Sequence, residues 1–348
     1  MESNLQIKLK EQTKEDKIGA KENIQVSLKD KTTAEQVEFE ELLYLVASKI
    51  STLQEWKKYI MDYYKEFCLA VANSEAKFGK KNGNDNKKPI AIITGGQPGA
   101  GKSVLIAIYT NLLKENHGID VLVNNADIYR FCVPGSYIIS RDFPENASEI
   151  TDPVVKEMRK NLISESIAQK QSIIIENTLG DTLAVDQMIQ AGVHDVWVAV
   201  MAVPREESLL SDFERYIKMK EKYEVARLVS VEAHDKRYYA LDKNIEKLMK
   251  AGIRIIVHSR GKTEHDLANI EYDSFDTNNK KYNGIIDAIN SIRRKSLIEK
   301  ISGYSERLKV IREKMEYFGM TQDEEEELKK LEDIINETIL INNQIRNG

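Results

Sequence analysis

The chain has 348 residues and a formal net charge of -5, with 41% hydrophobic and 31% charged residues. That length suits one large α/β domain with helical additions, or two domains, and the acidic balance gives no sign of a nucleic-acid-binding surface. Two cysteines, Cys68 and Cys132, exclude a disulfide framework and a Cys-rich metal site, and suit a reducing cytoplasm. No apolar run approaches the length needed to cross a bilayer, and Met1 to Gln12 lacks the apolar core of a secretory signal. The expected setting is cytoplasmic, with neither membrane nor nucleic acid as partner.

Residues 1–32 mix charges of both signs without periodicity and read as a disordered arm. From Thr33 the pattern turns helical, with Phe39, Leu42, Leu43, Val46, Ala47 and Ile50 at three- and four-residue steps. A second helix is expected from Leu53 to about Phe78. The polar stretch Gly79 to Pro89 is a linker by composition. An all-helical unit, 33–78, therefore precedes the core.

The core, 88–280, alternates strands and helices. Strands rich in Val and Ile are expected at 90–95, 120–124, 172–176, 195–203 and 253–258. Helices are expected at 101–115, 152–169, 182–191, 205–224 and 231–251. Such alternation predicts a doubly wound, mainly parallel sheet with ligands beyond the strands' carboxyl ends. Residues 281–348 read as a helical hairpin. One long helix is expected from Ile285 to Phe318, with Gly319 as its left-handed C-terminal residue. The capping box Thr321-Gln322-Asp323-Glu324 then opens a last helix.

The core is organised around its first strand. Ala91 to Thr94 run into Gly95-Gly96-Gln97-Pro98-Gly99-Ala100-Gly101-Lys102-Ser103, a G-x-x-x-x-G-K-S loop that opens a helix. Glycines let the backbone curl around phosphate oxygens, and the curled amides with the helix N-terminus face an anion. Lys102 can then reach the β- and γ-phosphates, and Ser103 can ligate Mg²⁺. The ligand expected of such a loop is a nucleotide, ATP or GTP.

Other candidates lie at strand ends. Asp127 follows the second strand and could be a general base, help hold magnesium, or cap a helix. Glu176 abuts four apolar residues and is costly unless it faces a cleft or a partner. Thr178, two residues on, could bond a substrate or shape a turn. Arg215 and Arg227 follow the fourth strand and could neutralise a transferring phosphoryl group, although most arginines are surface residues. His234 and His258 read as packed or surface histidines, with no zinc-ligand spacing around them.

Several segments together resemble the zeta-toxin family, bacterial P-loop kinases that phosphorylate UDP-N-acetylglucosamine. They are the loop from Gly95 to Ser103, Asn125-Ala126-Asp127 and Ile175-Glu176-Asn177-Thr178. Val200-Met201-Ala202-Val203-Pro204 follows, with Glu214-Arg215-Tyr216 beyond it. Ala226-Arg227 and Ala233-His234-Asp235 complete the order. The resemblance spans roughly residues 88–262 and implies a P-loop NTPase core of the nucleoside/shikimate-kinase type. It implies that Lys102 and Ser103 bind nucleotide and Mg²⁺, and that Asp127 takes the proton from the sugar 3′-hydroxyl. Glu176 and Thr178 resemble substrate-side residues, and Arg215 and Arg227 the pair that stabilises the transferred phosphate. The resemblance also implies a cell-wall precursor, a UDP-sugar, as substrate and a small helical antitoxin as partner. Residues 33–78, tethered before the core, are an alternative inhibitor in cis. A kinase of another small-molecule hydroxyl, or a nucleotide-dependent switch, are the competing readings.

Overall fold

The computed structural model describes residues 88–131, 133, 136, 147–221, 228–261, 268–278 and 281–347. The expected arm, the helical unit 33–78, its linker up to residue 87 and Arg227 lie outside the described residues.

A six-stranded sheet has the order β2-β3-β1-β4-β5-β6. Its strands are β1 (Ile90–Gly95), β2 (Leu122–Asn124), β3 (Ile173–Glu176), β4 (Asp195–Met201), β5 (Arg254–Ser259) and β6 (Asn269–Asp273). The first five run parallel and match the expected strands within a few residues. β6 is antiparallel on β5 and was not expected from the sequence. Its sequence, Asn-Ile-Glu-Tyr-Asp, alternates apolar and polar residues as an edge strand does, without the continuous Val and Ile run that marks the others.

Period-two alternation sends β1 side chains to opposite faces. Ala91 and Ile93 join Ile173, Ile175, Val198 and Val200 in one buried layer. Against it pack α2 (Ala126–Phe131), α3 (Ala147–Gln169), α4 (Leu183–Ala191), α6 (Val231–Lys250) and α7 (Ile285–Lys300). Ile92 joins Ile174, Ala199 and Ile256 in the opposite layer, covered by Leu105, Tyr109 and Leu113 of α1 (Lys102–His117). From β1 the chain crosses by α1 to β2 on one side; from β3 it crosses by α4 to β4 on the other. The carboxyl ends of β1 and β3 therefore flank the point where the winding reverses, the usual ligand crevice of such sheets.

A third apolar cluster joins α5 (Arg205–Glu221) to the C-terminal helices α8 (Tyr304–Phe318) and α9 (Gln322–Asn347), through Leu210, Phe213, Ile311, Leu328 and Ile335. The single helix expected over 285–318 is two, broken by a 3₁₀ turn at Ile301–Gly303. Gly303, a weak helix former, sits at the break. The expected capping box is present: the Thr321 hydroxyl accepts from Glu324 N at 3.2 Å, and the Glu324 carboxylate accepts from Thr321 N at 2.8 Å. Glu324 also accepts from the Tyr216 hydroxyl and Lys220, tying α9 to α5. Gly319 takes a positive φ of 74° after α8, but its ψ of 129° lies outside the left-handed helical well expected for it. Among the described residues no helix is long and apolar enough to cross a membrane.

Candidate active site

The loop between β1 and α1 closes on itself, with Ala100 N donating to Gln97 O at 3.1 Å. Gly99 has φ 71°, and a Cβ there would sit 1.9 Å from the Ser208 carbonyl oxygen of α5. No side chain fits that approach. Gln97 anchors the loop from beneath, its amide donating to Val203 O at 2.9 Å and to the Ser208 hydroxyl at 3.0 Å. Lys102 opens α1 with only 8% of its surface exposed. Its ammonium donates to Gln97 O at 3.1 Å and stands 4.0 Å from a Glu176 carboxylate oxygen. Burial holds the ammonium below the usual lysine range, against the pull of Glu176.

Glu176 ends β3, where the sheet leaves its side chain facing the cleft. Burial raises its carboxyl above the usual range, opposed by Lys102. The turn beyond is held tightly. Asn177 Oδ1 accepts from Leu179 N at 2.7 Å, and Leu179 takes φ 53°, a costly value for a side chain with a Cβ. Thr178 lines the same cleft.

Asp127 lies in the first turn of α2, whose start is capped by Asn125: its Oδ1 accepts from Asp127 N at 2.8 Å. Capping thus falls to Asn125, and the Asp127 carboxylate is 59% exposed. It lies 3.9 Å from Arg215 Nη1, while Arg215 Nη2 donates to the buried Asp212 carboxylate at 2.7 Å. One end of that guanidinium is tethered and the other faces Asp127.

Lys102, Asp127, Glu176, Thr178 and Arg215 thus come together around one cleft of about 680 Å³. Its walls carry cations that sequence reasoning missed: Arg130, Lys156, Arg159, Lys236 and Arg237. Arg159 braces the cleft, its Nε donating to Asn124 Oδ1 at 2.7 Å and its Nη2 to the Glu176 carbonyl. A signal was present. Arg159 stands four residues after Val155, in the stripe of α3 that Val155 and Leu162 bury, where an unpartnered arginine is rarely tolerated. A second cavity of about 700 Å³ opens on the other side of the loop, lined by Gly101, Val104, Met201, Arg260 and Ala268. Arg215 lies in the wall of both. Ser103 is exposed in the first turn of α1 and offers a hydroxyl oxygen, the donor type that magnesium takes.

Both histidines are packed, as read. His234 Nδ1 faces Asp235 Oδ1 at 3.2 Å, which selects the Nδ1–H tautomer, and Nε2 accepts from the Ser208 hydroxyl at 2.9 Å. The ring so supports Gln97 through Ser208. Burial depresses His234 and His258 to about 4. The folded rings therefore stay neutral where unfolded imidazoles protonate, below about 6.5. Stability from this source is complete above about pH 6.5 and is lost towards pH 4. Chemical denaturation is expected to show a loss on the order of 1–2 kcal/mol per histidine between pH 7 and pH 5. Equal stability at the two pH values would show that both rings titrate normally in the fold.

The zeta toxin family model matches residues 74–270. Toxin zeta of Streptococcus pyogenes is 28% identical over 171 residues, covering 48% of this chain and 58% of that protein. The chain thus spans little more than half the length of that relative. Toxin PezT of Streptococcus pneumoniae is 30% identical over 217 residues, 59% of this chain and 81% of that protein. A solved structure of the PezAT chromosomal toxin–antitoxin system of Streptococcus pneumoniae superposes with a TM-score of 0.51 at 23% identity, covering 79% of this chain and 95% of that one. That likeness supports the fold. With the family model matching more than half of its residues, a P-loop on the first strand and a mainly parallel sheet, the chain belongs to the zeta toxin family.

Proposed function

We propose that this protein is a kinase that transfers the γ-phosphoryl group of ATP or GTP to the 3′-hydroxyl of UDP-N-acetylglucosamine or a related UDP-sugar. The observation that carries the reading is the pair of cavities flanking the P-loop, with Arg215 in the wall of both. A two-substrate transfer needs two sites that meet at the migrating group. The apolar floor of the second cavity, Val104, Met201 and Ala268, suits a nucleobase. The first cleft, with five cations besides Lys102 and Arg215, suits an acceptor that itself carries a diphosphate.

In this reading Lys102 and the loop amides hold the nucleotide phosphates. Asp127 accepts the hydroxyl proton as the sugar oxygen bonds to the γ-phosphorus, while the bond from that phosphorus to the bridging oxygen breaks and ADP or GDP leaves. Arg215 neutralises charge on the phosphoryl group in flight, held in place by Asp212. Arg227 is proposed as its partner. Glu176 and Thr178 hold the acceptor, Glu176 through its carboxyl. Ser103 would hold a magnesium ion, which supplies charge neutralisation across the phosphates. Consumption of a cell-wall precursor calls for restraint, and an antitoxin partner is part of the proposal.

Incubating the purified protein with γ-labelled ATP or GTP, Mg²⁺ and a panel of UDP-sugars tests this directly. A labelled UDP-sugar monophosphate, formed only with active nucleotide, is the expected product. Slow nucleotide hydrolysis with no labelled sugar from any member of the panel would reject the acceptor class.

A further inference from the structure

The C-terminal helices have no part in the chemistry above, yet they reach the P-loop through ionic contacts. The amides of a phosphate-binding loop turn inward, so its carbonyls turn outward and need donors elsewhere. Gln97 O has Ala100 N and Lys102 Nζ. Gly99 O accepts from Arg260 Nη2, 161 residues away. Arg260 Nη1 donates to Glu207 Oε1 and to the Ser211 hydroxyl, both at 2.9 Å. Glu207 is 3% exposed and is shared. Its Oε1 accepts from Lys300 Nζ at 3.3 Å, and its Oε2 from Arg307 Nη1 at 2.7 Å. Arg307 continues to Glu214, with Nε and Nη2 donating to its two oxygens at 2.7 and 2.9 Å. The fork geometry fixes the guanidinium rather than merely attracting it.

Glu207 stands beside Ser208, whose carbonyl presses on Gly99 and whose hydroxyl holds Gln97. The first turn of α5 therefore touches the loop directly and also controls the arginine that caps it. The three cations Arg260, Lys300 and Arg307 exceed the two carboxylates Glu207 and Glu214, so the cluster keeps a positive excess beside the second cavity, which all five line. Sharing among three cations offsets the cost of burying Glu207, whose carboxyl burial pushes up but whose cations, Arg307 first, hold it below the usual range.

We propose that Arg260 is a positioning residue for the P-loop and that Arg307, through Glu207, makes the C-terminal helix α8 part of the nucleotide site. The inference rests on the kinase reading for the identity of the nucleotide. Arg260 fixes the Gly99 carbonyl outward, which keeps the loop amides aimed at the phosphates. Arg307 fixes Glu207, and Glu207 fixes Arg260.

The test uses the full chain with a fluorescent ATP analogue, Mg²⁺ and no acceptor. Arg260→Lys and Arg307→Ala are each expected to weaken nucleotide binding roughly tenfold. The double variant should be scarcely weaker than either single one, since both break the same chain of contacts. Arg307→Lys keeps the charge without the fork and should fall between wild type and Arg307→Ala. In turnover assays the nucleotide KM should rise while the acceptor KM stays unchanged. A purely structural role would lower the melting temperature and leave nucleotide affinity at the wild-type value. That result in the soluble lysine variants overturns the inference while the kinase reading stands. Independent, multiplicative losses in the double variant also overturn it. A wild-type protein that binds no ATP or GTP analogue at all removes the kinase reading, and the inference with it.

Discussion

Lys102→Met is expected to reduce phosphoryl transfer by roughly 10³-fold or more, because in the proposed reaction the lost ammonium faces the phosphates as their charge redistributes. The same substitution should leave the fold intact. Lys102 is buried, its ammonium satisfied by Gln97 O and set 4.0 Å from Glu176. A methionine of similar volume relieves the desolvation that lowers the lysine's proton affinity. It also removes the cation that most opposes the burial of Glu176, so Glu176 rises further and is neutral over a wider pH range. Loss of turnover with an unchanged or raised melting temperature is therefore the expected pair of results. A melting temperature that collapses together with activity would make Lys102 a structural ion-pair partner. Turnover within tenfold of wild type would remove Lys102 from the chemistry.

What the sequence made legible follows from how each feature is encoded. Parallel strands buried on both faces need continuous apolar runs, and Ile90 to Ile93, Ile173 to Ile175 and Val196 to Val203 supply them. The edge strand β6 needs no such run. Ile270 is 63% exposed there, and Glu271 and Asp273 are held by Lys281 and Arg254. The break at Ile301–Gly303 was signalled only by one glycine, outweighed by the helical pattern on both sides.

The candidate site divides in the same way. The P-loop is legible because its backbone conformation restricts residue type, as the 1.9 Å clearance at Gly99 shows. Strand-end carboxylates are legible because a charge at the end of an apolar run is conspicuous. The cationic wall of the first cleft is not: Lys156 and Arg159 come from α3, and Lys236 and Arg237 from α6. Only the packing of those helices against one face of the sheet brings them together. The Arg260–Glu207–Arg307 chain has contacts separated by 53 and 100 residues, and no local pattern announces it.

Asp127→Asn is expected to lower turnover by roughly 10²- to 10⁴-fold with little change in nucleotide affinity. The substitution is nearly isosteric and spares the local architecture, because the cap of α2 comes from Asn125. Loss of a carboxylate in the first turn of α2 costs about 0.3–1 kcal/mol against the helix dipole, too little to unfold the protein. What disappears is the proposed proton acceptor and the negative partner that Arg215 Nη1 faces at 3.9 Å. Glu176 is the rival carboxylate in the same cleft, and the two stand in different surroundings. Asp127 is open to solvent, whereas Glu176 is largely buried with its carboxyl raised by that burial. A general base for a sugar hydroxyl acts as the carboxylate, and burial raises the Glu176 carboxyl above its usual range, which counts against Glu176 in that role. Comparing Asp127→Asn with Glu176→Gln over a pH series separates them. If Asp127 is the base, its asparagine variant loses the acidic limb of the kcat/KM profile, and Glu176→Gln retains that limb while raising the acceptor KM. An unchanged profile in Asp127→Asn, with the limb lost in Glu176→Gln, transfers the proton to Glu176.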